Sequence, residues 1–318
     1  MITEEQKKVI AAAETAVKDN PANFELYVQL GMAHFHAGQF DEALAAFQQA
    51  IDLNPRAASA YNGIGRVHYH TGPMRTAIEA YEYAISLDPH YIDPYYGLGI
   101  LYSAKLGDYD AAIDAFQRGV ELNPADAFLV ASLGSTYARM GRFEKAIAYL
   151  QQAIALQPDN AFAYSWLGIL YLHIKRYDDM IAACQREIEI EDSHSPHRLL
   201  GYVYNFLGRY DEAIAQLEQS VALEPEDYEA RGALARVYRT LGRQEDADEQ
   251  YAIASRMARL DNEYGQACFE AVSGNVEQAL TLLKVALTNG QVQPGWVRID
   301  PEFAFMTDDP RFKALIGD

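Results

Sequence analysis

The stretch ASAYNGIGRVHYHTGPMRTAIEAYEYAISLDPHY, residues 58–91, decides the fold. Its apolar residues recur at helical spacing on both sides of Gly72, with Tyr61, Ile64 and His68 along one face and Ala77, Tyr81 and Ala84 along another. Gly72 stands where a left-handed residue would end a first helix. Pro89 stops a second, because the residue before a proline is pushed out of the helical region. The stretch reads as two helices joined by a tight turn. The 34 residues before it, 24–57, carry the same signs in the same places: Leu30, Gly31, His34, Gly38, Ala43, Phe47, Ala50 and Pro55. A pattern recurring at this period builds a stack of small units, none of which can bury its apolar face alone.

Seven copies phase outward from this stretch: 24–57, 58–91, 92–126, 127–160, 161–193, 194–227 and 228–261. The third has 35 residues, the fifth has 33, and the rest have 34. The small residues set the helix spacing. Gly65 is expected to face Ala77 and Ala84 at close approach, while bulky Tyr81 fills the hole between neighbouring pairs. Residues 1–23 read as one capping helix over 4–18, stopped by Pro21. Residues 262–318 read as a degraded eighth pair, with Ala267, Gly274, Ala279, Leu283 and Ala286 still in phase, followed by a capping tail from 288. In that tail Asp300-Pro301 and Asp309-Pro310 each put an acid at a helix N-cap and Pro in the first turn. Phe303, Phe305, Phe312, Leu315 and Ile316 give the tail an apolar face to fold over the last repeat.

The fifth copy departs from the rule. Lys175 replaces the turn Gly, Met180 and Glu187 replace the two Ala, and Asp192 replaces the Pro. Residues 175–200 therefore read either as a point of bending or as an irregular repeat that the stack tolerates.

The phased residues resemble the tetratricopeptide repeat, whose pattern of Leu-Gly, Tyr, Ala, Phe, Ala and Pro lies at the same offsets. The resemblance covers 24–261: Gly31, Gly65, Gly99, Gly134, Gly168 and Gly201 hold the Gly place, with Ala235 in the seventh copy. Ala43, Ala77, Ala112, Ala146, Ala213 and Ala247 hold the close contact. The resemblance implies an all-α, right-handed superhelical solenoid of antiparallel helix pairs, capped at both ends, with the first helices lining a concave groove.

The bulk numbers narrow the partners. Acidic residues number 45 against 26 basic ones, for a net charge of -19, which repels nucleic acid and anionic membranes. No apolar run reaches the length of a bilayer span. The segment Met1–Ile10 lacks the apolar run of a secretory signal, and only two cysteines occur, Cys184 and Cys268, so a cytoplasmic protein without disulfides is expected.

Catalytic signatures are missing: there is no phosphate-binding Gly-rich loop ending in Lys, no zinc helix, no nucleophile elbow and no Cys-x-x-Cys. Gly63-x-Gly65 and Gly97-x-Gly99 fall in phase inside two repeats, so close helix packing accounts for them. His36 and His70 project from adjacent groove helices, and His194 and His197 have a ligand-compatible spacing, but packing or solvation suits each as well. No enzyme activity, metal or other cofactor is expected.

Carried onto this chain, the family's groove places give a candidate peptide-binding surface. The first two copies supply Met32, Phe35, His36, Arg66, Tyr69 and His70. The third supplies Tyr96 and Ile100, the fourth Arg139, and the fifth Phe162, Ile169 and Leu172. Arg198, Tyr202 and Phe206 follow, then Arg236 and Arg239. Arginines outnumber acids along this list, the reverse of the whole chain, and aromatic rings sit among them. Such a wall suits an extended or helical peptide with apolar anchors and acidic groups, since Arg offers bidentate donors to carboxylates. Arg139 and Arg198 are expected to stand exposed there. The clamp by which chaperone-type members hold a C-terminal carboxylate has no counterpart, because its places carry Val28, Met32, Gly63, Asp93 and Gly97. The expected function is a non-catalytic scaffold or adaptor holding a peptide segment of a partner. The alternatives are an accessory subunit presenting substrate to a separate enzyme and a self-assembling homo-oligomer.

Overall fold

The computed structural model describes residues 2–317 and is built of helices. The chain divides into two compact units, one up to Leu129 and one from Val130 onward.

The first unit opens with α1 (Glu4–Asp19), started by a capping box in which Thr3 and Gln6 satisfy each other's backbone amides. Three helix pairs follow: α2 (Phe24–His36) with α3 (Phe40–Leu53), α4 (Ala58–Thr71) with α5 (Met74–Leu87), and α6 (Asp93–Ile100) with α7 (Tyr109–Leu122). α1 packs on α2, and the first helices α2, α4 and α6 pack on one another in sequence. The Gly-x-Gly pairs explain the spacing. A Cβ on Gly65 would lie 2.7 Å from the Tyr81 ring, and one on Gly97 2.6 Å from the same ring. Tyr81 is thus gripped between the glycine of its own pair and the glycine of the next, and Phe47 between Gly31 and Gly63 in the same way. The glycines accordingly meet the bulky ring, where the sequence reading placed the alanines. The third copy's extra residue is absorbed without a longer loop: Leu101–Leu106 winds as a π-helix that continues α6.

The second unit carries the chain on through α8 (Ala127–Arg139), in whose first turn the division falls, and α9 (Phe143–Leu156). Next come α10 (Ala161–His173) with α11 (Tyr177–Ile190), α12 (His194–Phe206) with α13 (Tyr210–Leu223), α14 (Tyr228–Thr240) with α15 (Gln244–Ala258), and α16 (Glu263–Val272) with α17 (Val276–Thr288). The irregular fifth copy lies inside this unit, with α11 packed on α12. Lys175 takes the left-handed turn usually left to glycine, at φ 60°. Its ammonium meets Asp308 at 2.8 Å. The residue missing from this copy comes out of the turn between α11 and α12. Asp192, in the proline place, bonds His197 Nε2 at 2.8 Å, while Gln216 holds Nδ1 at 2.6 Å. Both ring nitrogens of His197 are therefore occupied within the protein.

The tail forms α18 (Pro294–Val297), a 3₁₀ turn (Pro301–Met306) and α19 (Pro310–Ile316). Asp300 and Asp309 cap their helices by accepting from the amides of Glu302 and Arg311, as the Asp-Pro pairs indicated. Phe303 and Phe312 are fully buried against Ala267, Ala271, Ala279 and Leu283 of the last pair.

Candidate functional site

In the first unit the residues expected from the groove come together. The Arg66 guanidinium lies 4.8 Å from the centre of the Phe35 ring and 3.9 Å from Met32 Sδ. Phe35 in turn packs against His36, at 5.4 Å, and His70, at 5.3 Å. Beside this cluster is a concavity of about 340 Å³ lined by Asn62, Arg66, Tyr69, His70, Tyr81, Asp93, Tyr96, Gly97 and Ile100. Burial pushes the Tyr96 phenol up to about 12. Burial, with the charges of Lys105 and Arg66, lowers the His70 pKa from its ordinary value, which keeps the ring neutral at neutral pH.

Two participants escaped the sequence reading. Lys105 reaches to 5.2 Å from the Tyr69 ring centre, and it does so from the π-helical turn that the extra residue creates. Tyr91 accepts from Asn62 Nδ2 at 3.1 Å and donates to Asp93 at 3.1 Å, tying α4 to the start of α6. The 35-residue length of the third copy was the visible signal for Lys105. Which way the surplus would bulge was not.

The second unit places its expected residues differently. Its own tail runs along the first helices. Trp296 stands 6.1 Å from Trp166 and lies under Arg139, whose guanidinium is 4.6 Å from the ring centre. Phe162 packs edge-on against Trp166 at 6.2 Å. Leu172 is buried in α10, and His173 bonds the backbone of Ile299. Burial drives the His173 pKa down to about 4 despite that bond and nearby Glu302. Ile169 faces Arg198 and Pro301, and Phe206 stacks on Phe305 at 4.9 Å.

Arg198 is the largest departure from expectation. Its side chain is 18% exposed and sits among Asp227 at 3.0 Å, Glu229 at 3.4 Å and Glu302 at 3.3 Å. The Tyr202 hydroxyl reaches the same Glu302 carboxylate at 3.5 Å. Burial works to raise the Asp227 pKa, but Arg198, the Ala230 amide and the Ser220 hydroxyl overcome it and hold the pKa below the usual range. Burial wins at Glu229, and at Asp300, which accepts from the Tyr264 hydroxyl, so both are pushed upward. The expectation that Arg198 stands exposed is thus corrected, because the tail supplies Glu302 and closes over it. Arg236 lines a separate cavity and Arg239 is exposed.

Nothing among the described residues gathers three or more His, Cys, Asp or Glu side chains to hold a metal ion, and no described helix is long and apolar enough to cross a membrane. Burial raises the thiol pKa of both Cys184 and Cys268 well above the ordinary value, which keeps them protonated.

A family model described as the C-terminal domain of cilia and flagella-associated protein 70 matches residues 56–273. Two tetratricopeptide-repeat models match residues 33–72 and 10–45. No curated protein sequence matches the chain. Among solved structures, the chain is similar to the APC/C hetero-tetramer Cut9-Hcn1, with TM-score 0.64 and 20% identity over 89% of this chain and 52% of that one. It is also similar to PilW, a type IV pilus biogenesis factor, with TM-score 0.59 and 18% identity over 64% of this chain and 94% of that one. A tetratricopeptide repeat protein from Parabacteroides merdae aligns with TM-score 0.54 and 16% identity over 69% and 87% of the two chains. At these identities the likeness shows the fold.

Proposed function

The chain belongs to the tetratricopeptide-repeat family, a family of protein–protein interaction scaffolds, and we propose that it is a non-catalytic scaffold that takes a peptide segment of a partner on the concave face of its first unit. The observation that carries this reading is a pair of cations held over aromatic rings beside the concavity. Arg66 lies over Phe35 and Lys105 over Tyr69, and neither has an ion-pair partner among the described residues. Stacking holds each cation in place and leaves its donors turned toward an incoming acid. Tyr96 and Ile100 offer the apolar wall beside them. The segment that fits has an aromatic or aliphatic anchor for that wall and an acidic side chain for Arg66 or Lys105.

A displayed library of random heptapeptides, selected on the purified protein, tests this. The expected outcome is enrichment of peptides that pair an acid with a bulky apolar residue. Their affinity should fall at least tenfold in the Arg66→Glu, Lys105→Glu double variant and stay unchanged in Lys284→Glu on the second unit. Enriched peptides without acids, or affinity untouched by the double variant, would remove the assignment.

A further inference from the structure

A cavity of about 280 Å³ lies in the second unit between α12, α14, the α16–α17 turn and the tail. One side is apolar: Phe206 stacks on Phe305, with Met306, Val272 and Val276 beside them. Arg236 lies on the other, its aliphatic stem 3.6 Å from where a Cβ on Gly274 would stand. We propose that this cavity binds a carboxylate carried on a compact apolar body, the acid on Arg236 and the body against Phe206, Phe305 and Met306.

Three observations support the assignment. Arg236 has no ion pair among the described residues, although it is partly buried. The acids nearby are already committed, since Asp227, Glu229 and Glu302 all converge on Arg198. Glu302 also lines the cavity, but its Oε1 is held by Arg198 at 3.3 Å and by the Tyr202 hydroxyl at 3.5 Å.

Second, burial lowers the pKa of Arg236 from its ordinary value, with no neighbouring acid to counter the effect. A cation removed from water without a counter-charge is destabilising, and a bound anion would relieve that cost.

Third, the stack does not ask for a charge at this place. The same position in the other six copies carries Met32, Arg66, Ile100, Ser135, Ile169 and Tyr202, so five of the six are uncharged. The volume lies near the lower end for ligand pockets, which suits a compact acid.

This site is independent of the first-unit face. Isothermal titration of the full chain with N-acetyl-phenylalanine and N-acetyl-leucine, each as acid and as amide, tests it. At least one acid should bind, and its amide at least tenfold more weakly. Arg236→Gln should abolish that preference and Arg236→Lys retain part of it, while the Arg66→Glu, Lys105→Glu double variant leaves it intact. A hexapeptide ending in Phe, with a free or amidated carboxyl end, shows whether the acid arrives on a chain terminus or on a small molecule.

Thermal melting separates a binding role from a structural one. Arg236→Met removes an uncompensated charge and should melt no lower than the parent. Equal binding of acid and amide, no binding by either acid at millimolar concentration, or a marked drop in the melting midpoint of Arg236→Met would each overturn the proposal.

Discussion

The concave face of the first unit keeps Arg66 and Lys105 on aromatic rings beside a cavity, whereas the matching helices of the second unit are overlaid by residues 294–308 of the same chain. Both faces come from one repeat pattern. The difference lies in what meets them. In the second unit Trp296, Ile299, Glu302, Phe305 and Asp308 meet Trp166, His173, Arg198, Phe206 and Lys175. Similar residue types on these helices therefore receive the protein's own tail in one unit and stay uncovered by it in the other.

The strongest way to break this comparison is to remove the tail. Ending the chain after Gln293 strips Ile299, Phe303 and Phe312, all fully buried, from the second unit. At roughly 1.5–3 kcal/mol for each large apolar side chain, the second unit should lose on the order of 5–9 kcal/mol. Calorimetry should show its transition lost or much lowered, while hydrogen exchange finds the amides of α2 to α5 as protected as before. Equal loss of protection in both units would deny their separate character.

A smaller effect sharpens the contrast between two arginines. Arg198→Ala leaves Asp227, Glu229 and Glu302 without their shared cation, at a cost of about 3–5 kcal/mol. Arg66→Ala removes only a partly exposed cation over a ring, worth about 1 kcal/mol or less. Denaturant titration of the two variants measures both. Similar losses would mean that Arg66 is as structural as Arg198.

The third effect is pH-dependent. His173 is held neutral in the folded protein, with its pKa lowered to about 4 from 6.5. A depressed histidine contributes stability that is present above its unfolded pKa and lost as pH falls from 6.5 toward 4. The stability gap between the parent and His173→Gln should therefore shrink by roughly 2–3 kcal/mol across that window. Burial pushes the Glu187 carboxyl up to about 7, and its contribution is lost as pH rises, so the comparison with the variant is what isolates the histidine. A constant gap from pH 7 to pH 4 would show that the folded protein does not hold the His173 pKa below its unfolded value.

Much of the architecture was legible. The Gly-centred breaks and terminal prolines marked the helix pairs because backbone conformation at a turn depends on the residue standing there. The Asp-Pro pairs located two helix starts in the tail for the same local reason. Met32, Phe35, Arg66, Tyr69, His70, Tyr96 and Ile100, taken from the family's groove places, lie close together because the repeat sets them on neighbouring first helices in the same register. Lys105 was missed because a π-turn rotates the residues after it out of that register. Arg198 was misjudged because its burial depends on Glu302, more than a hundred residues away.

The sequence by itself determined the repeat and the helix pairs, since each follows from short-range periodicity and from residues that restrict the backbone locally. The residues of the first-helix faces came from the family resemblance. Only the tertiary structure decided that one face is overlaid by the chain's own tail, that Arg198 is neutralised and that Arg236 is not. Those outcomes rest on contacts between segments far apart in the chain, where a favourable partner for a ring or a charge leaves no mark on the residues beside it.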